Sequence, residues 1–174
     1  MYLNKKNLFL AISVCLIFFF LTYNDVRSNE NNVISGKAIV TDGDTIKING
    51  NKIRFSGIDA PESFYRGKRQ QCTYDKTKVY CGYWSKIVLV EKISSNIVFC
   101  IKEDEADQYK RILAECFVNE ESLSKYLVRS GYAFAYRRYS KKFIEDEEYA
   151  KINKLGLWQT EFQFPWEFRK SVRN

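Results

Sequence analysis

The chain has 174 residues, with 28 Lys and Arg against 21 Asp and Glu for a net charge of +7, and it contains no His. The length allows one domain, and 45% hydrophobic with 16% aromatic residues is enough to bury a core. The missing imidazole excludes His triads, Cys/His dyads and His metal ligands, which leaves carboxylates, Arg, Lys, Tyr, Cys or a hard, oxygen-bound metal to carry any chemistry.

Lys5 and Lys6 precede an uncharged stretch, residues 7–24. Its apolar part, from Leu8 to Tyr23, is longer than most signal-peptide cores and shorter than a comfortable membrane span. Residues 1–28 are therefore expected to be an export signal ending at Val26-Arg27-Ser28 or a membrane anchor, and both readings stay open. Either one puts the remainder outside the cytoplasm, secreted or periplasmic, or attached to the membrane through residues 7–24. That remainder is still basic, as suits a polyanionic partner.

It also holds four Cys, at 72, 81, 100 and 116. An even number suits disulfides, and of the three connectivities the sequence-local one, Cys72 with Cys81 and Cys100 with Cys116, is expected. Zinc is the rival reading, but these spacings lack the close pair of a zinc knuckle.

From residue 33 to 48 the sequence alternates as strand, interrupted at Asp42-Gly43-Asp44, and Asn49-Gly50 is a tight-turn signal leading into a strand over residues 52–58. Residues 57–81 read as a long basic loop. Trp84, Ile87, Val88 and Glu91 predict a helix over residues 83–93. Two further strands are predicted at 97–101 and 112–118. Asn119 is expected to cap a helix bearing Leu123, Tyr126 and Leu127 and ending at Gly131, and a third helix spans 142–154 and stops at Gly156. The tail carries Trp158, Phe162, Phe164, Trp166 and Phe168 and is expected to pack back on the domain.

Two segments carry the chemistry. Asp42-Gly43-Asp44-Thr45 places two carboxylates on one turn, which taken alone is simply a good turn sequence. Residues 53–62, Ile-Arg-Phe-Ser-Gly-Ile-Asp-Ala-Pro-Glu, add Arg54, Asp59 and Glu62 at the end of a strand. So many charges beside a buried strand are costly unless they pair or bind a cation.

Together these segments resemble the staphylococcal-nuclease-like (thermonuclease) family. The resemblance continues through Asp107-Gln108-Tyr109-Lys110-Arg111, residues 127–133 (Leu-Val-Arg-Ser-Gly-Tyr-Ala) and Gly156-Leu157-Trp158. It covers nearly all of residues 33–160, leaving an aromatic and basic tail at 161–174, and the Cys pairs resemble those of exported bacterial members. The resemblance implies a mainly β domain with α-helices, a five-stranded OB-fold-type barrel with three helices. It implies one Ca²⁺ on the carboxylates of Asp44 and Asp59 and the backbone carbonyl of Ala60, with Asp42 behind them. Glu62 would orient or deprotonate the attacking water, and Arg54 and Arg111 would bond the phosphodiester. Tyr109 and Tyr139, or Tyr136, would touch substrate.

The implied activity is endonucleolytic hydrolysis of DNA and RNA, favouring single-stranded or locally open regions, with little sequence specificity and 3′-phosphate products. A non-catalytic nucleic-acid-binding OB module is the alternative, and a basic face for anionic lipid is a third reading. Three features depart from the family pattern: Ala60 stands in place of Thr, Lys110 in place of Gly, and the loop after Glu62 carries its own Cys pair.

Overall fold

The computed structural model describes residues 32–107, 109 and 111–174. The N-terminal segment 1–28 and Lys110 lie outside them. Among the described residues no helix is long and apolar enough to cross a membrane.

In chain order the elements are β1 (Val33–Gly36), β2 (Ala38–Asp42), β3 (Thr45–Ile48), β4 (Asn51–Phe55), β5 (Ile58–Asp59), β6 (Cys72–Tyr74), β7 (Thr77–Val79), α1 (Cys81–Ile93), β8 (Val98–Ala106) and β9 (Ile112–Val118). Then follow β10 (Glu121–Ser122), α2 (Leu123–Arg129), β11 (Phe134–Ala135), α3 (Ile144–Ile152), a 3-10 turn (Gly156–Gln159) and α4 (Pro165–Arg173). β2, β3 and β4 form the expected meander, with Asn49 and Gly50 both at positive φ in the two-residue turn. Strand alternation turns Ile46, Ile48, Ile53 and Phe55 inward, and Ala114, Cys116 and Val118 of β9 meet them. Leu89 and Ile93 of α1 and Leu123, Leu127 and Val128 of α2 fill the same core. Fully burying each such Leu or Ile contributes about 1.5–3 kcal/mol.

The main sheet has seven strands in the order β1-β8-β9-β4-β3-β2, with β10 added on β9. β1 and β2 are separated only by Lys37, yet they stand at opposite ends of that order, so the sheet curls. The sheet with its packed helices is consistent with the expected OB-type fold, but among the described residues no ladder joins β1 to β2, and the expected five-stranded barrel is corrected to a seven-stranded sheet that no ladder closes. The helix count is corrected too. Three expected helices are present with shifted ends, and α4 in the tail is a fourth.

The shifts have local causes. Asn119, expected to cap α2, stands with Glu120 at positive φ in the turn between β9 and β10. Ser122 caps the helix instead, its hydroxyl accepting from the Lys125 N–H at 3.2 Å. Within the stretch expected as loop, β6 and β7 form a hairpin around Asp75 and Lys76, both at positive φ. The disulfides are Cys72 with Cys81, tying this hairpin to the start of α1, and Cys100 with Cys116, across β8 and β9.

A second core lies beside the hairpin, where Cys72, Cys81, Phe134 and Leu157 are covered by Trp84, Trp158, Phe162, Phe164 and Trp166. The tail is thereby packed on the domain, and α4 leaves this aromatic cluster directly above the strand ends that carry the acids.

Candidate active site

The turn between β2 and β3 sets the first two acids. Asp42 Oδ1 accepts from the Gly43 N–H at 2.8 Å, the Ser63 N–H at 3.2 Å and the Ser63 hydroxyl at 2.5 Å, which holds the segment after Glu62 against the turn. Gly43 is needed for close approach: a Cβ there would lie 2.7 Å from Ser85 Cβ and 2.9 Å from Ala60 Cβ. The turn therefore sits hard against α1 and against the chain that follows Asp59.

Register does the rest. β3 pairs with β4 so that Thr45 faces Arg54, which sets the guanidinium beside Asp44. Arg54 reaches Asp44 Oδ2 at 2.5 Å and Asp59 Oδ1 at 2.7 Å. Asp44 also accepts from the Thr45 hydroxyl at 2.8 Å and from the Ala60 N–H at 3.0 Å. Asp59, with no exposed surface, lies on β5, which pairs with β11. Glu62 follows on a segment pressed against the start of α1. A Cβ on Gly82 would come within 2.1 Å of the Glu62 carbonyl oxygen, so only glycine lets the two chains meet.

Burial and neighbouring charge tune these acids in opposite directions. For Asp44, burial works upward, but Arg54 and the hydrogen bonds from Ala60 and Thr45 outweigh it and hold the carboxyl below its usual range. Asp42 is raised by burial and by the charge of Asp44. Glu62 is pushed up to about 7, first by burial and then by the charges of Asp44 and Asp42, while Arg169 pulls against the rise. A carboxyl near 7 is poised to exchange a proton at neutral pH.

The donors match a hard divalent cation in kind and charge. They are all oxygens, and the four acids Asp42, Asp44, Asp59 and Glu62 outnumber the guanidiniums of Arg54 and Arg169 that lie among them. Ala60 is buried, and its N–H is held by Asp44 Oδ2 at 3.0 Å. No group of three or more acidic or Cys side chains among the described residues forms a metal cluster. Two carboxylates, a main-chain carbonyl and water are ligands of the kind Ca²⁺ takes, and in this structure guanidiniums of Arg54 and Arg169 stand against those carboxylates.

Arg111 is placed differently. It stands two residues before Leu113, the partner of Arg54 across the parallel pair of β4 and β9, but touches none of these acids. Its Nε and Nη2 both reach Asp107 Oδ2, each at 2.6 Å, and its main-chain N–H donates to Asp107 Oδ1 at 2.8 Å. Tyr109 is 64% exposed beside it, with the guanidinium 5.4 Å from the ring centre. Tyr139 is also exposed and lies edge-on to Tyr136, which stacks on Trp166 at 5.7 Å.

One residue in the centre was not anticipated from sequence. Arg169 on α4 donates from Nη1 to Asp59 Oδ1 at 3.0 Å and to Glu62 Oε1 at 2.6 Å, and from Nη2 to Asp59 Oδ2 at 2.6 Å. The available signal was Pro165 with Glu167 two positions on, which marks a helix start. Glu167 caps it by accepting the Phe164 N–H at 3.2 Å.

Residues 52–160 match the family described as staphylococcal nuclease homologues, and the chain belongs to that family. It is 28% identical to an uncharacterized endonuclease of Haemophilus influenzae, over 90% of this chain and 80% of that protein. It is 29% identical to the succinoglycan biosynthesis protein ExoI of Rhizobium meliloti, over 74% of this chain and 66% of that protein. With endonuclease YncB of Bacillus subtilis it shares 31% identity, over 73% of this chain and 61% of that protein.

Proposed function

We propose that this protein is an exported, Ca²⁺-dependent endonuclease that hydrolyses phosphodiester bonds of DNA and RNA and leaves 3′-phosphates. The observation that carries the reading is the convergence of Asp44, Asp59 and Glu62 with Arg54 in a chain of the nuclease family. Asp44, Asp59 and the Ala60 carbonyl would hold the ion, with Asp42 behind them securing the turn. Bound Ca²⁺ would supply positive charge to offset that of the phosphodiester.

Glu62 takes a proton from water as the water oxygen bonds to phosphorus, and the bond to the 5′ oxygen breaks, that oxygen leaving as a 5′-hydroxyl with a proton from solvent water. Arg54 and Arg111 offset the charge that builds on the remaining phosphate oxygens, where planar guanidiniums bond two oxygens at once. Tyr109 and Tyr139 offer exposed rings for bases to stack on. A cavity of about 480 Å³ beside Tyr136, Arg138, Phe164 and Trp166 adds further aromatic surface, its Arg137 being paired with Glu147 and Glu148. Two disulfides suit an oxidising compartment, in agreement with export directed by residues 1–28.

The test is cleavage of single-stranded DNA by the full chain in Ca²⁺ and in excess EGTA, alongside Glu62→Gln. Cleavage that needs both the metal and Glu62 is expected. Tight DNA binding without cleavage in any metal would replace this reading with a non-catalytic binding module.

A further inference from the structure

We propose that Arg169 is a positioning residue of the nuclease centre: the C-terminal helix supplies a guanidinium that fixes Asp59 and Glu62 to each other, so the site is complete only when α4 is docked. The inference rests on the nuclease reading and extends it to a part of the chain that lies beyond the family match, which ends at residue 160.

Arg169 spans the two acids that perform different tasks. Its fork takes both oxygens of Asp59, while one of its nitrogens also reaches Glu62 Oε1. Arg54 alone would hold only Asp59 Oδ1. Glu62 Oε2 has no hydrogen-bond partner among the described residues, so Arg169 takes one oxygen and leaves the other to meet water. No other described cation pairs with Glu62.

The helix that carries Arg169 is anchored at its N-terminal end. Phe164 stacks on Trp166 at 4.6 Å, Trp166 stacks on Tyr136, and Pro165 is buried. Just before the helix, the Gln163 carbonyl accepts from Gln70 Nε2 at 2.7 Å. The same buried Gln70 accepts the Glu62 N–H through Oε1 at 3.0 Å, and its own N–H donates to the Glu62 carbonyl at 3.1 Å. The main chain of Glu62 is thus tied to the tail through Gln70, and its side chain directly through Arg169. A misplacement of about 1 Å at a catalytic group can cost on the order of 10²-fold in rate.

The experiment uses the full chain as wild type, Arg169→Gln and Arg169→Lys. It measures single-stranded DNA cleavage in Ca²⁺, thermal unfolding, and hydrogen exchange of residues 165–173 with and without Ca²⁺. Arg169→Gln is expected to lower kcat by about 10- to 100-fold with KM within about twofold. Arg169→Lys keeps the charge but loses the two-oxygen fork, and is expected to fall between the two. Because it retains a cation for the acids, it reads the geometry even if Arg169→Gln fails to fold. Exchange over 165–173 is expected to stay unchanged on adding Ca²⁺. Unchanged or raised kcat in either variant, or faster exchange with Ca²⁺, would overturn the proposal, the last showing a plug that the metal displaces. A wild type that does not cleave in Ca²⁺ overturns the nuclease reading itself and this inference with it.

Discussion

Arg54 and Arg111 share a chemistry and an expected task, but the fold treats them in opposite ways. Arg54 is enclosed, 12% exposed, and bound to two acids, one on the turn between β2 and β3 and one on β5. Arg111 is paired with an acid four residues earlier in its own loop. The first guanidinium is part of what holds the centre together; the second is half-buried and held by a single half-buried acid of its own segment. The same substitution should therefore separate stability from activity at one position and not at the other.

The largest effect is expected for Arg54→Ala, which strands Asp44 as a buried negative charge and leaves Asp59 to Arg169 alone. Breaking such a pair costs about 3–5 kcal/mol, so urea unfolding should show a large loss of stability together with loss of cleavage. A variant of wild-type stability would contradict the enclosed role. Glu62→Gln probes the same enclosed region without leaving an unpaired charge. Turnover should fall about 10²- to 10³-fold while the thermal midpoint holds or rises, because a carboxyl that burial disfavours has been made neutral.

Arg111→Ala should lower turnover by about 10²-fold and change stability by less than about 1 kcal/mol, as for a partly exposed local pair. A stability loss as large as that of Arg54→Ala would erase the distinction. The smallest effect concerns pH at Asp107. Burial works upward there, but hydrogen bonds from the Arg111 N–H and side chain, with its charge, outweigh it and hold Asp107 below its usual 3.8. Its stabilisation is fully present above that value and is lost as pH falls through the lower folded value. Thermal midpoints measured from pH 4 to pH 2 should fall less steeply in Asp107→Asn than in wild type.

The meander and the first acids were legible because their signals are local. Alternation located β3 and β4, Asn49-Gly50 fixed their turn, and the run from Arg54 to Glu62 put three charges within nine positions. The need for Gly43 was not legible as packing: sequence offers a turn, and only the structure brings Ser85 and Ala60 against it. β10 was hidden because it is two residues long, and Asn119 serves a hairpin as readily as a helix cap. Arg169 was hidden by distance. It meets Asp59 across 110 positions, and nothing in its own neighbourhood marks it apart from other cations of a basic tail.

The Lys37 hinge orders events during synthesis. β1 leaves the ribosome with β2, but β2 finds its partner within a few residues, whereas β1 waits for β8, more than sixty positions later. β9 must then insert between β8 and β4 as a parallel neighbour of β4. Until residue 106 has emerged β1 has no partner, and until residue 118 has emerged nothing joins the pair of β1 and β8 to the β2–β4 meander; such non-local closure is the slow, aggregation-exposed kind. Chain termination before β9 would therefore yield a fragment with an unpaired, sticky edge rather than a smaller folded domain.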